Sequence, residues 1–186
     1  MIVRRISLVA LVVVGLVAGA AGGASAATVS PSEWAPSFCT AVIKYQTTLS
    51  TKGDALSTSL DAVDDLATGR DQIASYLAEM SDAAKTAKTE VKEAGVPSSP
   101  NGTKIVALFT GGLDASAKIF SKAQADAKKL PTTSPTAFKT KGKELGQSLS
   151  DAADELSKKF GGFAKLDKGK KLANAVKAAP ECEPLT

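Results

Sequence analysis

The sequence predicts an all-α fold: an up-and-down antiparallel bundle of four long helices with a short C-terminal helix and one disulfide. Three observations predict it. Apolar residues recur at steps of three and four over most of the chain after residue 36. β-branched and aromatic residues are sparse, and no alternating run is bounded by hairpin turns. The segments at 96–101 and 131–134 are short and rich in Pro, Ser and Thr, which makes consecutive helices antiparallel neighbours.

The chain has 186 residues, enough for one domain with a core. Residues 1–26 read as a cleaved signal peptide. Arg4 and Arg5 give a basic start, Ile6 to Val17 is apolar apart from Ser7 and Gly15, and Ala24-Ser25-Ala26 fits the small-x-small cleavage rule. The cut is expected after Ala26. An uncleaved anchor is the competing reading, but the Gly/Ala-rich tail of the segment is typical of a cleavage region. Residues 27–186 then form a single exported domain, with no further span for a membrane.

The helices follow in order. Phe38, Val42, Tyr45, Leu49, Leu56, Leu60 and Val63 form a seam over about 36–66. Pro36 is expected in the first turn, Pro31 in a lead-in, and Gly53 marks a bend or break. Ile73, Leu77, Met80, Ala84, Ala87, Val91 and Ala94 form a heptad seam on the second helix. Thr68 and Asp71 resemble a capping box that starts it near Gly69, and Gly95 ends it. Asn101 is expected to cap a third helix carrying Ile105, Phe109, Leu113, Phe120, Ala127 and Leu130. The Gly111-Gly112 pair is expected to loosen it. Ser134 caps the fourth, with Pro135 at its first position, and Phe138, Leu145, Leu149, Ala152, Leu156, Phe160 and Phe163 form its seam. Gly161-Gly162 suggests a bend. A last helix is expected at about 168–179, stopped by Pro180.

Cys39 and Cys182 stand near opposite ends of the mature chain. In an exported protein an even pair reads as a disulfide; two free thiols or a bond to another chain are the alternatives. Four long helices bring both termini to one end, where Cys39, expected near the first turn, can meet Cys182. Trp34 is expected to cap that end, with an exposed contact as the alternative.

Several chemistries are missing. The chain has no His, which removes His-based triads and His metal sites. No Ser-x-x-Lys dyad and no G-x-G-x-x-G are present, and the Gly162–Lys171 stretch lacks the spacing of a phosphate loop. Asp61, Asp64 and Asp65 cluster without a calcium-loop pattern and read as a solvated acidic face. No catalytic residue, metal ligand or cofactor is expected. Asn101-Gly102-Thr103 formally matches a glycosylation acceptor, but the cap role explains Asn101 without it.

Charge is uneven. Residues 27–117 carry seven basic and eleven acidic side chains, and residues 118–186 carry fourteen basic and eight acidic. Lys158, Lys159, Lys165, Lys168, Lys170 and Lys171 are the candidate contacts to an anionic component of the cell envelope. Ordinary solvated Lys faces are the competing reading. Arg70 is the one Arg after residue 26, and few aromatics interleave the lysines, so nucleic acid is not an expected partner.

Trp34-x-x-x-Phe38-Cys39, Ala94-Gly95-Val96-Pro97 with Pro100-Asn101-Gly102, and Ala178-Ala179-Pro180-Glu181-Cys182 together resemble a family of small exported helical proteins of actinobacteria. The family is uncharacterised, so the resemblance implies no functional residue. Some similar proteins look like lipoproteins; this chain has no lipid-acceptor Cys. The expected function is that of a monomeric, non-catalytic binding or structural module of the envelope or medium. The alternative is a carrier holding a small apolar ligand between helices around Phe109, Phe120, Phe160 and Phe163. An enzyme using carboxylates and Lys is a third class, which no constellation supports.

Overall fold

The computed structural model describes residues 27–185. The signal-peptide reading, with Ala24 and Ala26, lies outside the described residues. The architecture is all-α with a disulfide, as the periodicity predicts. Helices α1 (Pro31–Asp61), α2 (Leu66–Glu93), α3 (Gly102–Ala127) and α4 (Pro135–Phe160) form the bundle. A single turn, α5 (Phe163–Leu166), leads to α6 (Lys171–Ala178) and a closing 3-10 segment, Pro180–Leu185. Two-residue strands β1 (Thr28–Val29) and β2 (Val96–Pro97) pair in parallel.

Local chemistry moves several helix ends away from expectation. α1 begins at Pro31, not Pro36. Ser30 Oγ accepts from the Glu33 amide at 3.2 Å, and the Glu33 carboxylate accepts from the Ser30 amide at 2.9 Å. That reciprocal cap, with Pro31 at the first position, starts the helix earlier. Pro36 then stands inside the helix at the cost of one backbone hydrogen bond. Gly53 neither breaks nor ends α1. The cap of α2 is Asp65, not Thr68: its carboxylate accepts from the Thr68 amide at 2.9 Å and from the Thr68 hydroxyl at 2.8 Å. A carboxylate at a helix N-terminus also gains from the helix dipole. Asn101 stands at the cap position of α3 without a capping bond. Its side-chain amide instead donates to the Leu166 carbonyl at 2.8 Å, tying α5 to the start of α3. Ser134 does cap α4, accepting from the Ala137 amide at 3.3 Å. α6 starts later than expected, because Asp167 reaches over a left-handed Lys170 to accept from the Ala173 amide at 2.8 Å.

Gly95 ends α2 with φ +84°, the left-handed conformation that favours glycine. A Cβ there would lie 2.7 Å from the Ala27 carbonyl. That close approach lets the Val96 amide donate to Ala27 and the Ser98 amide to Val29. The short parallel pair fixes the N-terminal segment to the α2–α3 connection. Neither strand has the alternation that would reveal it in the sequence.

The core has two parts. At the end that holds both cysteines, Trp34, Phe38, Cys39, Val91, Ile105, Leu172 and Cys182 pack together. Cys39 and Cys182 are joined there with Cα atoms 5.1 Å apart, across 143 positions of sequence. Cys39 lies in the third turn of α1 because the helix begins at Pro31. α6 and the 3-10 segment both lie against α1 at this end. Trp34 is fully buried and stacks on Phe38 with ring centroids 4.3 Å apart. The second part joins Ala74 and Leu77 of α2 to Ala123 and Ala127 of α3, with Leu130 beyond. Between the two, Ser81 of α2 donates to the Ala117 carbonyl of α3 at 3.0 Å, and both residues are buried. Small side chains along α2 and α3 permit this approach.

Candidate functional site

α1 packs on α2, α2 on α3, and α3 on α4. α1 and α4 do not close the ring of four. They flank a groove floored by α3, with a cavity of about 650 Å³. That volume lies within the range of small-molecule sites. α1 contributes Val42, Tyr45 and Leu49, and α3 contributes Phe109, Leu113, Ile119 and Phe120. α4 contributes Leu149, Ala153, Leu156 and Phe160, and Tyr76 of α2 reaches the same space.

The end of the groove nearest the disulfide is aromatic. The Phe109 ring lies 5.6 Å from that of Phe160 and 4.6 Å from that of Phe38. Phe163 lies behind Phe109, also at 5.6 Å, and is not a wall of the cavity. Three of the four phenylalanines expected around an interhelical ligand therefore line one space. Gly112 has a role that the sequence reading reverses. α3 runs unbroken through it, and a Cβ at this position would lie 2.1 Å from the tip of the Phe160 ring. The glycine seats that ring against the α3 backbone. Gly111 has open space around its missing Cβ.

The polar groups of the groove are uncharged: Tyr45, Gln46, Tyr76, Ser116 and Ser150. Burial pushes both tyrosine hydroxyls above the usual phenol range; at Tyr45 the Ser116 hydroxyl pulls the other way and the neighbouring Tyr76 adds to the rise. Both are O–H groups at neutral pH. Tyr76 and Ser116 were not legible as site residues. Their spacing is ordinary, and only the open side of the bundle gives them a surface.

The lysines expected to meet an anionic surface are distributed differently from one another. Lys165, Lys168, Lys170 and Lys171 are exposed on the segment from α5 into α6, and they make no ion pair with the described residues. Lys158, on α4, pairs with Glu155 at 2.6 Å. Lys159 follows it, and its side chain lies outside the described set. Of the three clustered aspartates, Asp65 is a helix cap, and Asp61 and Asp64 are exposed. Among the described residues, no three acidic, His or Cys side chains are grouped to hold a metal ion. No described helix is long and apolar enough to cross a membrane. No protein-family model, curated protein or solved structure matches the chain.

Proposed function

We propose that this chain is an exported, non-catalytic binding module that holds a small apolar ligand in the groove between α1, α3 and α4. One observation carries the reading: an apolar space of about 650 Å³ where a fully closed four-helix bundle would have packed side chains. The lining supports binding rather than catalysis. Among the described residues it offers hydrocarbon, aromatic rings, one amide and neutral hydroxyls, and no charged side chain.

Native mass spectrometry of the protein exported by its own host tests this. The expected result is a mature monomer, oxidised at Cys39 and Cys182, carrying extra mass that leaves on denaturation. The Ala153→Phe variant, which places a ring in the groove, should arrive bare. A bare wild-type protein that takes up no apolar ligand on titration overturns the reading. So does a dimer that buries the groove.

A second role has its own support in Lys165, Lys168, Lys170 and Lys171, which are exposed and have no ion-pair partner among the described residues. They suit an anionic envelope component, which would hold the module at a surface. Reversing their charge should release the protein from anionic vesicles and leave the groove's ligand in place. Unchanged vesicle binding removes this second role.

A further inference from the structure

The groove is long, closed at one end and uncharged, and these three properties restrict its ligand. Along α3 its floor runs from Phe109 to Phe120, eleven residues or about 16 Å of helix. α1 and α4 run beside it, so the space is a channel along the bundle rather than a round pocket. Its inner end is shut by the rings of Phe109 and Phe160, backed by Phe38 and Phe163. A hydrocarbon tail can end there; a polar head cannot.

The hydroxyl groups lie further out. Tyr45 follows Val42 by about a turn on α1, and Ser116 follows Leu113 on α3. Tyr45 has the Ser116 hydroxyl beside it. Tyr76 is different: it is half-buried, faces the same space, and its hydroxyl has no hydrogen-bond partner among the described residues. The hydroxyl lies close to α1, where a Cβ on Gly53 would stand 3.6 Å from the Tyr76 oxygen. A ligand oxygen at this point would find a partner that the protein leaves open.

Charge decides which oxygen. Among the described residues no Lys or Arg lines the groove, so a carboxylate drawn into it would lose its water without gaining a counter-charge from them. A neutral hydroxyl loses far less and can both donate and accept. We infer that the groove takes a long-chain alcohol, with its hydrocarbon tail against Phe109 and Phe160 and its hydroxyl at Tyr76. This rests on the ligand-binding reading above and adds the ligand's class and orientation to it.

Calorimetric titration of the ligand-free protein with dodecanol and with dodecanoate, in slightly alkaline buffer, tests the inference. Dodecanol should bind at least about tenfold more tightly, because the anion is desolvated without a partner. Tyr76→Phe should weaken dodecanol by about fivefold to tenfold, the worth of one hydrogen bond, and leave dodecanoate unchanged. Ala153→Phe should abolish binding of both. Equal or tighter binding of dodecanoate overturns the alcohol and leaves the apolar groove standing. Dodecanol binding that Tyr76→Phe does not alter overturns the orientation. If neither compound binds, the ligand-binding reading falls, and this inference with it.

Discussion

The disulfide end and the α4 side of this bundle are built from similar sequence patterns and reach opposite degrees of closure. At the disulfide end, Trp34, Cys39, Ile105, Leu172 and Cys182 are all fully buried. No described residue of α4 is buried to that degree, although its seam is as regular as that of α2. Periodicity says which face of a helix is apolar. It does not say how many neighbours will cover that face. α2 lies between α1 and α3; α4 has α3 on one side and the groove on the other.

The disulfide should provide the largest difference between the two regions. Replacing both cysteines, Cys39→Ser with Cys182→Ser, frees a loop of 143 positions. The loss should be about 4–5 kcal/mol in the chain-entropy description, read by urea unfolding. A loss below about 1 kcal/mol would mean that packing alone closes that end.

Core truncation sharpens the contrast. Leu77 on α2 is almost fully buried, and Leu77→Ala should cost about 3 kcal/mol. Leu156 on α4 lines the open groove, and Leu156→Ala should cost less than about 1 kcal/mol. Equal losses in thermal or urea unfolding would show that α4 closes over the groove in solution.

Two glycines separate rigid from yielding neighbours. A Cβ on Gly102 would stand 2.0 Å from the Pro97 carbonyl, so backbone must move and Gly102→Ala should cost about 2–3 kcal/mol. A Cβ on Gly112 meets only the tip of the Phe160 side chain. That ring can swing into the groove, and a gain of about 1 kcal/mol in helix propensity offsets the strain. Gly112→Ala should therefore leave stability nearly unchanged and weaken ligand binding, which calorimetry would read.

The smallest effect is electrostatic. Lys118 and Lys88 hold the Asp114 carboxyl down to about 2, from an ordinary 3.8. A carboxyl lowered in the folded state binds its proton more readily when unfolded. Its contribution is present above the ordinary value and is lost as pH falls from about 4 towards about 2. Asp114→Asn should flatten the acid dependence of stability in that window alone. The three groups are partly to largely exposed, so the change should be slight, and a large one would indicate a wider network across α2 and α3.

Most of the helices and the pairing of Cys39 with Cys182 were legible in the sequence, because apolar spacing and cysteine parity report directly on them. The exact starts of α1 and α2 were not. Ser30 competes with Pro36, and Asp65 with Thr68, and the outcome depends on which side chain reaches the first free amides. Asn101 shows the same limit in another form: the local pattern fits a cap, yet its partner is the carbonyl of Leu166, 65 residues away. Phe109, Phe120 and Phe160 were legible as a possible ligand lining. Tyr76 was not, because its significance comes from a space between helices rather than from its own surroundings in sequence.

The placement of the rings gives the molecule two separate optical reporters. Its one tryptophan, Trp34, is sealed in the disulfide end, and both of its tyrosines, Tyr45 and Tyr76, face the groove. Tryptophan emission therefore follows the closure of the terminal end and is blind to the channel. Tyrosine absorbance and emission follow the channel. Native aromatic residues alone can thus record, in one sample and without a label, whether the open side loosens before the stapled end gives way.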